Sequence, residues 1–143
     1  MIRRLFTALA ISLNSRVQGI CQQIQRDKKT DHARIPGRLL QLLTGETDGR
    51  LTGGCLSLVV ATLGTAYEID TADSILVLED LDTKPYQIDR MLTQLKHAGK
   101  LESVQAVVFG EMLHCAQHVN QGYSLEEVVM DILADTAFPV LYG

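Results

Sequence analysis

The stretch Ser74–Leu95, SILVLEDLDTKPYQIDRMLTQL, decides the fold. Ile75 to Leu78 is a short, wholly apolar run, and a run of that length reads as a buried strand. It leads straight into two acids, Glu79 and Asp80. Pro85 then suits the first turn of a helix, because its fixed φ is already helical and its missing N–H costs nothing there. Ile88, Met91, Leu92 and Leu95 follow at i, i+3, i+4 and i+7, the spacing of an apolar helix face, and Gly99 supplies a stop. A buried strand, a short loop and an amphipathic helix form the unit from which α/β domains are built.

The same alternation extends on both sides. On the N-terminal side GRLTGG, Gly49 to Gly54, reads as a strand ending in a glycine turn. CLSLVVATLG then reads as a helix stopped by Gly64, apolar on nearly every side and so expected to be covered. Tyr67 to Asp70 reads as a short edge strand. On the C-terminal side Val104 to Gly110 is a second buried strand and GEMLHCAQHVNQG a loop. Ser124-Leu125-Glu126-Glu127 has the capping-box pattern and opens a helix through Asp135. FPVLYG is a last strand. The expected fold is α/β, a small mostly parallel sheet with packed helices.

Residues 1–48 differ from the rest. Ile2, Leu5, Phe6, Leu9, Leu13, Val17, Ile20 and Ile24 keep helical spacing, which favours a packed amphipathic helix over a signal peptide. RDKKTDHARIPGR after it is polar, holds Pro36 and Gly37, and reads as linker or loop. The expected division is an N-terminal helix and linker over 1–48 and an α/β domain over 49–143.

Composition narrows the function. The chain has 143 residues, 46% hydrophobic and 21% charged, with a net charge of −4. That balance belongs to a folded domain with a real core, and it disfavours a surface that tracks nucleic-acid phosphates. No stretch is long and apolar enough to span a bilayer. Cys21, Cys55 and Cys115 are few, odd in number and widely spaced, so they form no disulfide framework and fit a reducing cytoplasm.

Candidate nucleophiles are unpromising by position. No G-x-S-x-G elbow occurs. Ser124 is a helix cap, and Ser57 lies within an apolar helix. Cys55 follows two glycines at a helix start, where a thiolate would be stabilised, although a small buried side chain fits that turn equally well. His114, Cys115 and His118 have zinc-binding types without a fourth ligand at a conventional spacing, and neither His32 nor His97 supplies one. No metal or cofactor is expected. GRLTGG lacks both the G-K-[ST] ending and the G-x-G-x-x-G spacing of phosphate loops. Glu79 remains. Carboxylates at the carboxyl end of a buried strand are where α/β proteins place chemistry, and alternation sends Glu79 and Asp80 to opposite faces. Asp80 and Asp82 are accounted for as acceptors for loop amides before Pro85. Glu79 ends a dry strand with no such explanation.

GRLTGGCLSLVVATLGTAYEID, SILVLEDLDTKPYQIDRMLTQLKHAGKL, VQAVVFGEM and GYSLEEVVMDILADTAFPVLYG, taken in order, resemble the LD-carboxypeptidases over Gly49 to Gly143. These serine peptidases include muramoyltetrapeptide carboxypeptidase and the microcin C immunity proteins. The resemblance implies a two-domain enzyme whose Ser–His–Glu triad removes a D-amino acid from an L,D-amide bond, as in murein tetrapeptide recycling, with no metal. The microcin relatives act on a peptidyl-nucleotide. Glu79 falls on the family's L-E-D glutamate and would orient the histidine. Gly53 and Gly54 fall on its double glycine beside the substrate, and Cys55 stands where asparagine is frequent. The family's serine domain has no counterpart in residues 1–48, and its histidine follows the strand read here as FPVLYG. The reading therefore expects an incomplete, inactive piece that self-associates through the apolar surface left by the absent domain or through the family's dimer contact. The alternative is a non-catalytic module that binds a murein peptide or a protein.

Overall fold

The computed structural model describes residues 47–116 and 122–142, together with the backbone of 33–34 and 40–43. The N-terminal helix expected up to residue 26 lies outside the described residues. The elements in chain order are β1 (Ala33–Arg34), β2 (Leu40–Leu43), β3 (Asp48–Cys55), α1 (Leu56–Ala61), β4 (Ser74–Leu81), α2 (Pro85–His97), β5 (Ala106–Leu113), α3 (Leu125–Leu133) and β6 (Val140–Tyr142).

The sheet runs β1-β3-β4-β5-β6-β2. Its four central strands are mutually parallel, and β1 and β2 add antiparallel edges to β3 and β6. The segment read as helix and linker thus contributes two short strands. Each crossover from β3 to β6 moves one strand over in the same direction. Right-handed crossovers therefore place all three helices on one face. The core agrees: Leu76, Leu78, Val107, Phe109 and Val140 of the strands pack with Leu56 and Val59 of α1, Ile88, Leu92 and Leu95 of α2, and Leu125, Val129 and Leu133 of α3. The opposite face carries a smaller buried cluster, Ile75, Ala106, Val108 and Leu141, with Leu51 and Val77 against it. A parallel strand buried on both faces must be apolar on both, and ILVL and AVVF are.

The helix signals act where the sequence places them. Pro85 opens α2, and the Lys84 N–H donates to Gln87 Oε1 at 2.9 Å. The helix closes with Gly99 at φ 71°, its N–H bonded to Lys96 O and that of Lys100 to Leu95 O. This is the left-handed closure for which a glycine is favoured. Ser124 and Glu127 form the reciprocal capping box of α3.

Four expectations need correction. The β3 strand runs through Gly53 and Gly54 to Cys55, and α1 begins at the next residue without a turn. Tyr67 to Asp70 is not a strand, and Glu68 instead reaches back to the Gly64 N–H and across to Lys100. Gly110 to Leu113 continues β5, past a register shift opposite Glu79. Helix α1 has only six residues and buries Leu56 and Val59 while Leu58 stays exposed.

Candidate active site

The carboxyl ends of β3, β4 and β5 meet at one edge of the sheet. Cys55 lies in register with Glu79, and Asp80 and Leu81 with Met112 and Leu113. Asp80 is 3% exposed and faces the helices. Its Oδ2 accepts from the Ser57 N–H at 2.9 Å, and its Oδ1 accepts from the Leu81 N–H and the Thr83 hydroxyl, both at 2.8 Å. The loop role expected of Asp80 holds, and a second role joins it. It satisfies an orphan amide in the first turn of α1, where Cys55 offers no side-chain cap. Sequence spacing gave no sign of this cap, because the two residues are 23 apart and meet only through strand pairing.

Glu79 faces the other way, toward the side that carries Ile75 and Val77. It is half-buried, and no hydrogen bond reaches its carboxyl group among the described residues. Burial raises its proton affinity above the ordinary 4.5, and the neighbouring Asp80 charge adds to the effect. The two adjacent acids thus divide their work: Asp80 is fully engaged in structure, and Glu79 is uncommitted. Glu111, which sequence reasoning missed, sits in the shifted part of β5 opposite Glu79. Its Oε2 is buried without a hydrogen-bond partner among the described residues. The stretch GEML had read as loop, and a loop acid gives no such signal.

Gly53 sets the spacing of β3 against β4 at Val77, two residues before Glu79, and Gly54 lies next to it. Gly53 has φ 134°, and a Cβ there would stand 1.8 Å from the Val77 carbonyl oxygen. Only a glycine lets β3 approach β4 this closely. Gly54 has φ 151° and faces open space, with nothing within 4 Å of an added Cβ.

The remaining candidates separate. Cys55 Sγ and Ser57 Oγ are 3.1 Å apart at the start of α1. His114 and Asp82 are both left-handed, at φ 57° each, and their side chains meet at 3.2 Å on the exposed rim. Cys115 next to His114 is fully buried, with its Sγ 3.6 Å from Asp80 O, and burial pushes its thiol up. His114 and Cys115 therefore do not converge, and His118 lies outside the described residues. Among the described residues no three His, Cys, Asp or Glu side chains gather as a metal would require. His97 ends α2, at the other edge of the sheet.

Leu58, Leu81, Tyr86, Leu113 and Tyr123 are all exposed, and all lie on strand ends, loops or first helical turns at this same carboxyl edge. Together these five side chains form an apolar rim on this edge. Among the described residues no helix is long and apolar enough to cross a membrane.

Residues 48–143 match the LD-carboxypeptidase C-terminal domain. The chain belongs to the LD-carboxypeptidase family. Over 106 residues it is 42% identical to a Bacillus subtilis (strain 168) protein named "Probable murein peptide carboxypeptidase", covering 73% of this chain and 33% of that one. The chain thus spans about a third of that relative's length. Among solved structures, muramoyltetrapeptide carboxypeptidase from Oxalobacter formigenes aligns with a TM-score of 0.65 at 21% identity, over 92% of this chain and 45% of that one. The microcin C7 self-immunity protein MccF, solved with aspartyl sulfamoyl adenosine, aligns with a TM-score of 0.60 at 17% identity, over 89% of this chain and 45% of that one. These alignments bear out the α/β fold.

Proposed function

We propose that this chain supplies the glutamate-bearing half of an LD-carboxypeptidase site, with Glu79 as the residue that orients a catalytic histidine. The reaction would be hydrolysis of an L,D-amide bond with release of a terminal D-amino acid, and a murein tetrapeptide is the substrate class. One observation carries the reading. Glu79 is a half-buried carboxyl group at the end of a central strand that makes no hydrogen bond among the described residues, while its neighbour Asp80 accepts three. Burial without a partner raises the affinity of a carboxyl group for its proton. An imidazolium placed against it would reverse that shift and be held in one orientation, as the acid of a triad requires. Gly53 and Gly54 would let backbone approach the substrate beside it.

Among the described residues no serine or histidine hydrogen bonds to Glu79, so we infer that residues 47–116 and 122–142 do not hydrolyse the bond unaided. Release of D-alanine from an L,D-linked murein tetrapeptide, measured beside a Glu79→Ala control, tests this. No release from either protein is expected. Glu79-dependent release would overturn the inference and turn attention to Cys55 and Ser57. The apolar rim favours a role for this edge as a contact surface, with a second copy of the chain or with the remainder of the enzyme.

A further inference from the structure

A groove of about 310 Å³ lies between the first turn of α1 and the outward face of α2, lined by Ser57, Thr83, Gln87, Arg90, Met91 and Gln94. Five of these six side chains can hydrogen bond, and none is acidic. Asp80 holds two of them from below, through the Ser57 backbone amide and the Thr83 hydroxyl, whose proton is thereby engaged. Arg90 is exposed and lies over the Tyr86 ring, with its guanidinium carbon 5.5 Å from the ring centre. Among the described residues no carboxylate lies within ion-pair reach of Arg90. The other described arginine side chain, Arg50, pairs with Asp70 at the far end of β3.

We propose that this groove is an anion subsite in which Arg90 takes the free terminal carboxylate of a peptide ligand, with Gln94 and the Ser57 hydroxyl completing the cradle. The inference rests on the peptide-hydrolase reading and names a determinant of its substrate. An enzyme that removes a terminal residue must distinguish a free carboxylate from an internal amide. A planar guanidinium over an aromatic ring suits that task, because it binds carboxylate through two parallel hydrogen bonds. Gln87 contributes less, since its Oε1 is engaged by the Lys84 N–H. Asp80 lies beneath the floor, but its oxygens point to the three donors that engage them. A phosphate would satisfy the same geometry, so carboxylate and phosphate are the two sources to separate.

Heteronuclear NMR of the full chain, following the Arg90 Nε–H and the Ser57 and Gln94 amides, reads the groove directly. The probes are L-lysyl-D-alanine, its C-terminal amide, and adenosine monophosphate. The free acid should saturate these signals and the amide should not. Arg90→Gln should weaken the acid by about tenfold or more, the loss of one charge-assisted contact. Gln94→Glu, an exposed change one turn along α2 that places a carboxylate beside Arg90, should do the same without affecting the fold. Equal response to acid and amide, unchanged affinity in Arg90→Gln, or no response to any probe would overturn the subsite. Saturation by the nucleotide alone would overturn the carboxylate assignment in favour of phosphate. Failure of the subsite is distinguishable from failure of the hydrolase reading, because D-alanine release on completing the triad would persist without the preference for acid over amide.

Discussion

Replacing Gly53 by alanine should be far more damaging than replacing Gly54, although the two are adjacent and both lie outside the conformations that side chains favour. At Gly54 the cost is conformational alone, since φ is 151° and the space beyond is empty. Such a backbone costs an L-residue about 1–3 kcal/mol. At Gly53 the same kind of term applies, with φ 134°. There the new Cβ also meets Val77 O at 1.8 Å, Val77 C at 2.7 Å and Val77 N at 2.8 Å, where real Cβ atoms essentially never come within 3.0 Å of a neighbour. These are backbone atoms of the central strand, so no side chain can turn aside. Strand β3 must move away, and overpacking of this kind adds about 1–3 kcal/mol. The total for Gly53→Ala is about 4 kcal/mol, a large part of the 5–15 kcal/mol that holds a typical domain folded. Urea unfolding followed by far-ultraviolet circular dichroism measures both variants. With a slope of about 2 kcal/mol/M, an excess of about 2 kcal/mol separates their midpoints by about 1 M. Equal losses in the two variants would refute the argument, because they would show that the approach of β3 to β4 carries no energetic weight.

Asp80→Ala should cost about 2 kcal/mol by leaving the part-buried Ser57 amide without its acceptor and removing the bonds to Leu81 and Thr83, and Asp80→Asn about half as much; urea midpoints that do not rank in this order would count against its bridging role. Glu79→Gln should raise stability at neutral pH. Its folded-state proton affinity is raised, so the protonated form is favoured and stability falls as pH climbs from below 4.5 through the raised value, then levels. The gain from the substitution should therefore be absent at strongly acid pH and full at neutral pH, and a gain independent of pH would contradict the burial argument. Ser124→Ala removes half of the α3 capping box and should cost about 1 kcal/mol by thermal or urea unfolding. Sedimentation should show self-association that weakens when Leu81 and Leu113 are both changed to serine, and a clean monomer at high concentration would remove the contact role of the rim.

The sequence made the fold legible wherever one short segment carried its own instruction. The run Ile75–Leu78, the Pro85 start, the Gly99 stop and the Ser124–Glu127 box each depend on residues a few positions apart, and each is where the structure has it. Failures came where the deciding contact was distant in sequence. Gly53-Gly54 looked like a turn because glycines permit turns, but the pair continues β3, and Gly53 serves close approach to Val77, which no local rule encodes. Leu40–Leu43 sat in polar surroundings and became a strand through pairing with β6. Residues 110–113 looked like a loop because Gly and Glu are poor strand formers, and the ladder with β4 overrode that preference.

The site follows the same division, and it explains why Glu79 could be singled out while its setting could not. A carboxylate closing an apolar strand is a local anomaly, visible from five residues. Whether it works depends on what the neighbouring acid does, and that is a tertiary matter. Asp80 is drawn into the helix side by its three donors, which pins the strand end in one orientation. Alternation then leaves Glu79 no choice but the opposite face, away from every donor that Asp80 recruits. The uncommitted acid is thus a consequence of the committed one. If Asp80 lost its partners, the strand end could rotate or fray and Glu79 would find water or a loop amide. Asp80→Asn should consequently relax the raised proton affinity of Glu79, by removing both a neighbouring charge and the constraint that keeps it half-buried. NMR titration of the Glu79 carboxyl carbon reads this directly, and an unchanged midpoint in the variant would show that burial by itself sets the state of Glu79.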